Sequence, residues 1–407
     1  MDKITAQTRV GGDLKLRKYL EDDRESLARV GVLAFGESLD EWADYFDPEK
    51  NLRLDPDQVH VAEEDGEARS SVVALSMESY VGGEPHSMGG IAAVMAHPAY
   101  RRRGYARALM HEALRDMRER GIHLSMLDPF SHSFYRTFGY ELAMETIGYN
   151  LKPSVLPISP EQKGVRAYRE DDLLAMMRLL ESEAAHYPMC AKRSEDYWRS
   201  EELWGKSDQK LEAAVFERAG DLEGYILYHQ KTSSGATPPR IVKVEELVAA
   251  TREARAGLLS FLASYNPEDF SIQLSTSRGT PLHPYLADSD VDARIQTGLM
   301  LRLVDVEGAL RFKTFRGEPL VLDVSDDVLP ENAGEYTIGN GEVVRGAEVE
   351  ERVSLDVRQL AQLYAGYLPA RELACHGLIG SSSAEALSLL EIHFPVGDPW
   401  VSALDHF

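Results

Sequence analysis

The chain has 407 residues, a formal net charge of −23 and 27% charged residues. At roughly 150 residues per domain, this length indicates two or three domains. Broad nucleic-acid binding is disfavoured because phosphate contacts depend on clustered Lys and Arg. No apolar run approaches the ~20 residues of a membrane span. The acidic balance favours neutral or cationic small-molecule partners.

The start of the chain, Met1 to Val10, lacks the apolar core of a secretory signal. Cys190 and Cys375 lie far apart in the sequence, unlike the cysteines of a metal or disulfide framework. We therefore expect a cytoplasmic protein.

The first 150 residues alternate helix and strand signals. Apolar periodicity and turn residues predict the following elements. They are a helix over Asp22–Glu37, strands at Val59–Ala62, Ser70–Tyr80 and Gly90–Ala96, a helix over Gly104–Arg120, a strand at His123–Leu127 and a short helix at Ser133–Phe138. The long helix carries an amphipathic stripe from Ala106 to Met117.

Three prolines between Lys152 and Gly164 indicate a linker. Beyond it the order of elements repeats that of the first region. The predicted elements are a helix over Asp171–Ala185, strands at Leu211–Phe216, Gly224–Tyr228 and Ile241–Ala249, and a helix over Arg252–Tyr265. This order predicts a second domain that echoes the first.

The character of the sequence changes from about Ile295. The predicted elements are strands at Leu299–Val306, Leu320–Val324 and Glu351–Leu355, and helices over Val357–Tyr367 and Ala384–His393. They predict a smaller third domain of the α+β class with an antiparallel sheet.

The segment from Gly90 to Ala106 carries the strongest functional signal. An apolar strand leads into three arginines and Gly104, which opens the long helix. A glycine there lets the backbone approach a ligand, and the free amides of a helix N-terminus favour an anion such as phosphate. The segment matches neither the Walker nor the dinucleotide motif. The alternative is an exposed basic turn that caps a helix.

This segment resembles the acetyl-CoA motif of the GNAT acetyltransferases, [QR]-x-x-G-x-[GA]. Arg101, Gly104 and Ala106 stand at the three motif positions. The resemblance implies that the loop amides hold the CoA pyrophosphate and that the preceding strand pairs with pantetheine. The implied cofactor-binding residues are Val94, Met95, Ala96, Arg101, Arg102, Arg103, Gly104, Tyr105 and Ala106.

Further segments are similar to the Eis (enhanced intracellular survival) aminoglycoside N-acetyltransferases. They are the triple arginine, Phe134 to Tyr140, Leu301 to Val306 and a terminal phenylalanine. The resemblance implies a mixed α+β and α/β fold with tandem GNAT (acyl-CoA N-acyltransferase) domains and a sterol-carrier-protein-like α+β domain. We place these domains at residues 1–152, 153–292 and 293–407. It also implies acetyl-CoA as cosubstrate and a homohexamer.

The same resemblance assigns the catalytic groups. Tyr135 is the implied general acid, since a phenol keeps its proton at neutral pH and can donate it to a thiolate. The α-carboxylate of Phe407 is the implied general base. The alternatives are a core aromatic residue at Tyr135 and a frayed tail at Phe407, although Trp400, Leu404 and Asp405 could anchor that tail.

A cationic substrate needs acidic walls. Glu37 stands where the family places an acidic pocket residue, Trp42 could stack on a sugar, and Asp405 lies in the tail. We predict these three as substrate-binding residues. The alternative is a solvated acidic surface, which is common in a protein of this charge.

The second domain departs from the motif at its strand–helix junction. Arg255 stands at the glycine position, and Glu253 puts an anion where a phosphate would lie. We predict that this domain binds no CoA, so each chain has one active site. The histidines show no metal-binding spacing, and we predict no metal.

The sequence therefore predicts an acetyl-CoA-dependent N-acetyltransferase that acts on amines of cationic substrates such as aminoglycosides. Polyamines, peptide N-termini and lysine side chains stay open as native acceptors, as does a longer acyl group. The alternative functions are a lipid-binding protein or a CoA sensor with a vestigial GNAT site.

Overall fold

The computed structural model describes residues 14–205, 210–232, 240–286, 291–346 and 348–407. Met1 to Val10, from which we inferred no secretory signal, lies outside the described residues. Within them the strands form three sheets, against which the helices pack.

The N-terminal region contributes six strands and four helices. The strands are β1 (Lys15–Lys18), β2 (Val59–Glu64), β3 (Glu67–Val81), β4 (Glu84–Ala96), β5 (Leu124–Leu127) and β6 (Glu141–Leu142). The helices are α1 (Arg24–Phe35), α2 (Leu39–Tyr45), α3 (Tyr105–Glu119) and α4 (His132–Arg136). Every element that we predicted here is present, with ends shifted by a few residues.

The middle region follows the same plan. Its strands are β7 (Glu145–Leu151), β8 (Val165–Ala167), β9 (Ala191–Lys192), β10 (Glu212–Arg218), β11 (Asp221–Thr232), β12 (Arg240–Ala249), β13 (Phe270–Ser277) and β14 (Asp292–Thr297). Its helices are α5 (Leu173–Ala184), α6 (Glu195–Arg199), α7 (Glu201–Trp204) and α8 (Arg252–Ala263).

The C-terminal region completes the fold. Its strands are β15 (Met300–Leu303), β16 (Leu320–Ser325), β17 (Gly334–Gly339), β18 (Glu342–Arg345), β19 (Arg352–Asp356) and β20 (Ile379–Ser381). Its helices are α9 (Val306–Leu310), α10 (Val357–Ala365), α11 (Ala370–Cys375) and α12 (Ala384–His393), and a 3₁₀ turn spans Ala403–Asp405.

The first two sheets have matching strand orders. The first runs β1-β2-β3-β4-β5-β15-β6, and the second runs β8-β10-β11-β12-β13-β7-β14. In each, one parallel pair, β4/β5 or β12/β13, sits among antiparallel neighbours. The predicted echo between the two domains is therefore confirmed as a shared topology.

A repeated ion-pair cluster accompanies the shared topology. In the first domain Arg17 bonds both Asp23 and Glu63. In the second, Arg166 bonds Asp172 and Glu217 in the same arrangement. Each arginine thus ties the first strand of its domain to the neighbouring strand and to the start of the first long helix.

The two sheets exchange strands across the predicted boundaries at residues 152 and 292. β7 precedes the first boundary but belongs to the second sheet. β15 follows the second boundary, yet it pairs with β5 and β6 of the first sheet. We predicted Leu299–Val306 as a strand of the third domain, and that placement is wrong. All four β15 residues are buried, so the strand lies inside the fold, and an apolar pattern cannot show which sheet receives it.

The third sheet runs β18-β17-β16-β19-β20. It is mixed rather than antiparallel as we predicted, because β16 and β19 run parallel. The hairpin of β17 and β18 lies between β16 and β19 in the chain, and it gives the return connection the length that a parallel pair needs. The predicted layout, two domains of one plan followed by a smaller third domain with its own sheet, is present.

Helix α3 forms the wall of the first domain nearest the predicted cofactor loop. Its buried residues are Tyr105, Leu109, Met110, Ala113, Leu114 and Met117. The predicted stripe is confirmed except at its first position, where Tyr105 is buried in place of Ala106. The helix is thereby fixed against the sheet, with its N-terminus beside the end of β4.

Candidate active site

The site begins where β4 and β5 separate. Their pairing ends at Ile91 opposite Leu127, and β4 then continues to Ala96. Parallel strands that diverge leave unpaired backbone groups along the gap between them. A ligand that carries amide groups can pair with such an edge.

A β-bulge bends β4 inside this free stretch. The four residues from Ala92 to Met95 of β4 lie opposite only three residues of β3, from Ser71 to Val73. Ala93 has φ +45°, an uncommon value for a residue other than glycine. Bulges redirect strands and recur beside active sites. This one turns the end of β4 away from β5.

Val94, Met95 and Ala96, the predicted pantetheine-binding segment, form this diverging end. The Val94 side chain packs in the cluster around α3, whereas Met95 packs in the cluster around α1. The two side chains therefore point to opposite faces of the sheet. Their backbone lies along the gap, as the prediction requires.

Gly104 is the N-cap of α3 and adopts φ +86°, in the left-handed region. It is exposed, and a β-carbon placed on it would meet no atom within 4 Å. No side chain caps the helix, so its first amides are left without an intrahelical partner. The residues present therefore fit a phosphate-bearing cosubstrate at this end of α3.

The three predicted loop arginines are not equivalent. Arg103 bonds the buried carboxylate of Glu64 at 3.0 Å, and the Tyr105 hydroxyl donates to the same carboxylate at 2.5 Å. The side chains of Arg103 and Tyr105, both predicted as cofactor-binding residues, are thus paired with Glu64. Arg101 and Arg102 are exposed and form no ion pair within the described part of the chain.

Tyr135 lies in α4, and the residue is 3% exposed. Its ring centroid is 5.1 Å from that of Phe134 and 6.3 Å from that of Tyr140. Burial raises the pKa of Tyr135, and Tyr140 and Asp128 add to this effect. The hydroxyl therefore keeps its proton at neutral pH, and it forms no hydrogen bond with another described residue.

Phe407 reaches the first domain from the far end of the chain. Its ring packs in the α1 cluster with Met77 and Trp42. A β-carbon on Gly90 would stand 3.1 Å from Cε2 of that ring. The last residue is therefore seated on β4, just before the point where β4 and β5 separate.

One carboxylate lies between the tail and Tyr135. Asp128 directly follows β5, and its Oδ2 lies 3.5 Å from Nδ1 of His406. The same Asp128 contributes to the raised pKa of Tyr135. The structure thus brings both predicted catalytic residues, Tyr135 and Phe407, to the neighbourhood of the same strand edge.

Trp42 and Glu37 lie on the Phe407 side of the sheet. The Trp42 ring packs over Gly31, where a β-carbon would collide with it at 2.2 Å. Its Nε1 donates to a Glu37 carboxylate oxygen at 3.0 Å. Glu37 is exposed, so that carboxylate stays accessible to a cation. These two predicted substrate residues form one unit.

Asp405, the third predicted substrate residue, is placed differently. It is 2% exposed and accepts bonds at 2.6 and 2.9 Å from Arg193. Arg193 also bonds Glu246 at 2.6 and 3.0 Å. The Asp405 carboxylate is therefore held inside the protein, which does not support its prediction as a substrate ligand. Sequence reasoning missed Arg193 and Glu246, since they lie far from Asp405 in the chain.

A cavity of about 350 Å³ lies beside the tail, between the first and second domains. Met77, which like Phe407 lies against Gly90, forms part of its wall. Charged residues of both signs also line it, namely Arg53, Glu78, Lys192, Arg193 and Asp405. The acidic character predicted for the substrate site therefore does not extend to this cavity.

At the corresponding position of the second domain, the N-terminus of helix α8 is capped by a side chain. The Thr251 hydroxyl accepts from the amide of Ala254 at 3.1 Å, and Glu253 lies in the first turn of α8. Gly104 provides no such cap in α3. A capped helix start with an added anion opposes phosphate binding, in line with our prediction for this domain.

No group of three or more His, Cys, Asp and Glu side chains among the described residues is arranged to hold a metal ion. No described helix combines the length and apolar character needed to cross a membrane.

Comparison with protein families gives three matches along the chain. Family models described as acetyltransferase (GNAT) domain match residues 15–143 and 190–303. A family model of the sterol carrier protein domain matches residues 306–402.

Relatives and solved structures agree with these matches. An uncharacterized N-acetyltransferase of Streptomyces avermitilis is 26% identical over 79% of this chain and 81% of its own. N-acetyltransferase Eis of Mycobacterium tuberculosis is 24% identical over 78% and 80%. A GCN5-related N-acetyltransferase of Anabaena variabilis superposes with TM-score 0.86 at 24% identity, covering 97% of this chain and 100% of that one. Eis1 of Mycobacterium abscessus gives 0.78 at 24% identity with the same coverage.

The fold and the open strand–helix junction define a GNAT N-acetyltransferase, an enzyme class that takes acetyl-CoA as cosubstrate. The two GNAT matches, the sterol carrier protein match and the similarity to Eis N-acetyltransferases together support an Eis-family member of that class. The alternative of a purely binding protein is thereby set aside.

Proposed function

We propose that this enzyme transfers acetyl from acetyl-CoA to an amine of a cationic small molecule, aminoglycosides among them, within a ternary complex. The observation that carries the proposal is the seat of Phe407. Its ring lies on Gly90 of β4, beside the gap that Tyr135 borders. An acid and a base are thus available at one strand edge.

The two groups stand on opposite faces of the first sheet. Tyr135 packs in the cluster that contains α3, and Phe407 packs in the cluster that contains α1. The cofactor loop is at the start of α3, whereas Trp42 and Glu37 are on the Phe407 side. This division suits a thioester that arrives from one face and an amine that arrives from the other.

Acetyl-CoA supplies the activated acyl group. The Phe407 carboxylate takes a proton from the ammonium, and the freed amine attacks the thioester carbonyl carbon. The backbone amide near Val94 stabilises the developing oxyanion. As the carbon–sulfur bond breaks, Tyr135 gives its proton to the leaving thiolate, and the nitrogen, now bonded to the acetyl carbon, loses its second proton, which restores the phenol. The products are an N-acetyl amine and CoA.

Glu37 and Trp42 would recognise the acceptor. A carboxylate attracts an ammonium group, and the indole face binds cations or covers a sugar ring. Because Asp405 is buried, we now leave it out of the acceptor site. The native acceptor could equally be a polyamine, a peptide N-terminus or a lysine side chain, all of which are cationic amines.

The test measures release of CoA thiol from acetyl-CoA with a panel of aminoglycosides and polyamines. Three tail variants separate the carboxylate from the ring. Deletion of Phe407 removes the ring and moves the terminal carboxylate back to His406. Addition of one glycine after Phe407 moves only the carboxylate, and Phe407→Leu keeps a terminal carboxylate on an apolar side chain. We expect turnover to fall at least 100-fold in the first two variants and less than tenfold in the third, as a general base contributes about 10²–10⁴.

Activity retained in the glycine-extended variant would remove the terminal carboxylate from its proposed role. Loss in Phe407→Leu alone would assign the function to the ring. Absence of thiol release from the unaltered enzyme with every amine would contradict the proposed acceptor class.

Three further parts of the proposal rest on the sequence and its resemblance. They are the domain limits at 1–152, 153–292 and 293–407, taken as limits along the sequence across which β7 and β15 pair, a cytoplasmic site of action and a homohexamer. Light scattering of the purified full chain tests the last of these, and a mass other than six chains would contradict it.

A further inference from the structure

The last ten residues are fastened mainly to the second domain. Asp398 accepts bonds at 2.5 Å from the Ser277 hydroxyl and 2.8 Å from the Gly279 amide. The Leu404 carbonyl accepts from the Tyr197 hydroxyl at 2.9 Å. The tail therefore crosses the second domain along fixed contacts before Phe407 enters the first.

The strongest of these contacts is a buried charge cluster. The side chains of Arg193, Glu246 and Asp405 are 1%, 0% and 3% exposed. Arg193 donates two bonds to each carboxylate, and the Tyr225 hydroxyl donates to Glu246 at 2.7 Å. Charge-assisted, bidentate bonds of this kind fix orientation as well as distance. Asp405 is held two residues before Phe407.

Arg193 is also tied to the first domain. It directly follows β9, whose Lys192 and Ala191 pair with Glu78 and Ser79 of β3. β3 in turn pairs with β4, on which Phe407 is seated. The cluster therefore sets the position of the tail relative to the active-site strand through only a few rigid elements.

Glu246 lies in β12, just beyond the stretch of this strand that pairs with β13. β12 and β13 pair only from Arg240 opposite Phe270 to Lys243 opposite Gln273. A bulge in β12 then precedes Glu246. The equivalent stretch of β4, after its own bulge, is the predicted pantetheine-binding segment. The second domain thus uses this stretch to hold the tail.

The tail accordingly borders the gap between β12 and β13. Residues from both strands line a cavity there, and the tail residues Trp400, Val401, Ala403 and His406 form one of its walls. In the first domain, the gap between β4 and β5 is open for a cosubstrate. In the second, the chain's own end lies where such a molecule would enter.

We propose that the second GNAT-like domain serves as a clamp for the C-terminal tail, and that Arg193 is a positioning residue that fixes the Phe407 carboxylate through Asp405. This inference rests on the proposed role of that carboxylate. It gives the second domain a task in catalysis that needs no CoA of its own.

The charges of the cluster allow a test in which only one of the two carboxylate charges is removed. Arg193 carries one positive charge and faces two carboxylates. Burial raises the pKa of Asp405, and Arg193 opposes this rise. Burial also acts to raise the pKa of Glu246, but Arg193 and the hydroxyl groups that bond Glu246 outweigh it, so that this pKa is lowered. Asp405→Asn therefore leaves Arg193 balanced by Glu246, and we expect the variant to fold.

The experiment compares Asp405→Asn and Arg193→Lys with Asp172→Asn as matched control. Asp172 belongs to the analogous cluster of Arg166 and Glu217 in the same domain, away from the tail. We expect kcat to fall about tenfold in both test variants, the factor that one hydrogen bond to a charged group is worth. The KM for acetyl-CoA should stay unchanged, because its site lies in the first domain.

A second readout reports the tail itself. Carboxypeptidase A removes a C-terminal phenylalanine only when it leaves its seat. We expect release of Phe407 to be about tenfold faster in Asp405→Asn and Arg193→Lys than in the unaltered enzyme or Asp172→Asn. A structural defect elsewhere would not produce this pattern.

The outcomes distinguish the clamp from the proposed base. Unchanged release and unchanged kcat in both test variants would overturn the clamp. The same losses in Asp172→Asn would also overturn it, since the effect would then be general. Faster release combined with full activity in the glycine-extended enzyme would support the clamp and contradict the carboxylate as base.

Discussion

The ring of Phe407 stands on a glycine, so that a β-carbon at Gly90 would lie 3.1 Å from Phe407 Cε2 and 2.8 Å from the Met77 sulfur. Gly90 is buried in β4, at the end of its pairing with β5. The absent side chain therefore provides the seat of the tail. A larger residue there would compete directly with the ring.

We expect Gly90→Val to lower kcat about 100-fold, because a displacement of about 1 Å at a catalytic group can cost that much. The KM for acetyl-CoA should change little, since the loop at Gly104 is untouched. Gly224→Val is the control, because the atoms nearest to a β-carbon at Gly224 belong to Ala254, Leu258 and Val248 of the second domain. Steady-state kinetics decides, and equal losses in both variants would contradict this role of Gly90.

A second prediction concerns the cofactor loop. Gly104 has φ +86° and open space around it, so Gly104→Ala adds only backbone strain of about 1–2 kcal/mol. Part of this strain would distort the loop amides, and we expect the KM for acetyl-CoA to rise about tenfold. Gly121→Ala imposes similar strain at the other end of α3, where φ is +73°. An equal KM in both variants would show that the loop does not hold the cosubstrate.

A third prediction tests the general acid. Tyr135→Phe should reduce kcat at least 100-fold, the lower range for a positioned acid, with thermal stability retained. Tyr140→Phe is the matched control, since its hydroxyl is 2.7 Å from Ser125 Oγ in the core. That variant should lose about 1 kcal/mol of stability and little activity. Full activity in Tyr135→Phe would contradict the role of Tyr135 as general acid, since water would then protonate the thiolate.

The sequence predicts those features of the structure that depend on a local pattern of residues. The stripe of α3 and the glycine at its start follow from helix periodicity and from backbone freedom. Tyr135 and Phe407 were predicted from motif resemblance, and the structure places both at the edge where β4 and β5 separate. Their roles remain predictions.

The features that the sequence did not predict are contacts between distant segments. Asp405 and Arg193 are 212 residues apart, and β15 lies far along the chain from β5. Composition and periodicity report whether a residue is apolar, but not which partner buries a charge. Asp405 was predicted both as a possible anchor of the tail and as a substrate residue, and the sequence could not show that Arg193 buries its carboxylate.

A fourth prediction concerns the junction with the third domain. Arg302 in β15 is fully buried, bonds Asp326 beyond β16, and donates to the carbonyl of Gly139 at 3.4 Å. Arg302→Met would strand the buried carboxylate and lower the free energy of unfolding by about 3–5 kcal/mol. The exposed Arg311 pairs with Glu307 within one helical turn, and Arg311→Met should cost under about 0.5 kcal/mol. Urea denaturation compares them, and similar losses would contradict the prediction.

The last prediction is a pH dependence of stability that comes from His60. His60 in β2 is buried, and burial together with the Lys18 ammonium lowers its pKa from 6.5 to about 4, against the opposing pull of Asp116. The unfolded chain therefore binds a proton between about pH 6.5 and 4 that the folded chain does not. Stability is full above pH 6.5 and falls as the pH drops towards 4, by up to about 3 kcal/mol. Denaturation at pH 7 and pH 5 should show this fall in the unaltered enzyme and in His186→Gln, an exposed-site control. In His60→Gln the fall should be smaller, and an unchanged pH dependence in that variant would assign the effect to other groups.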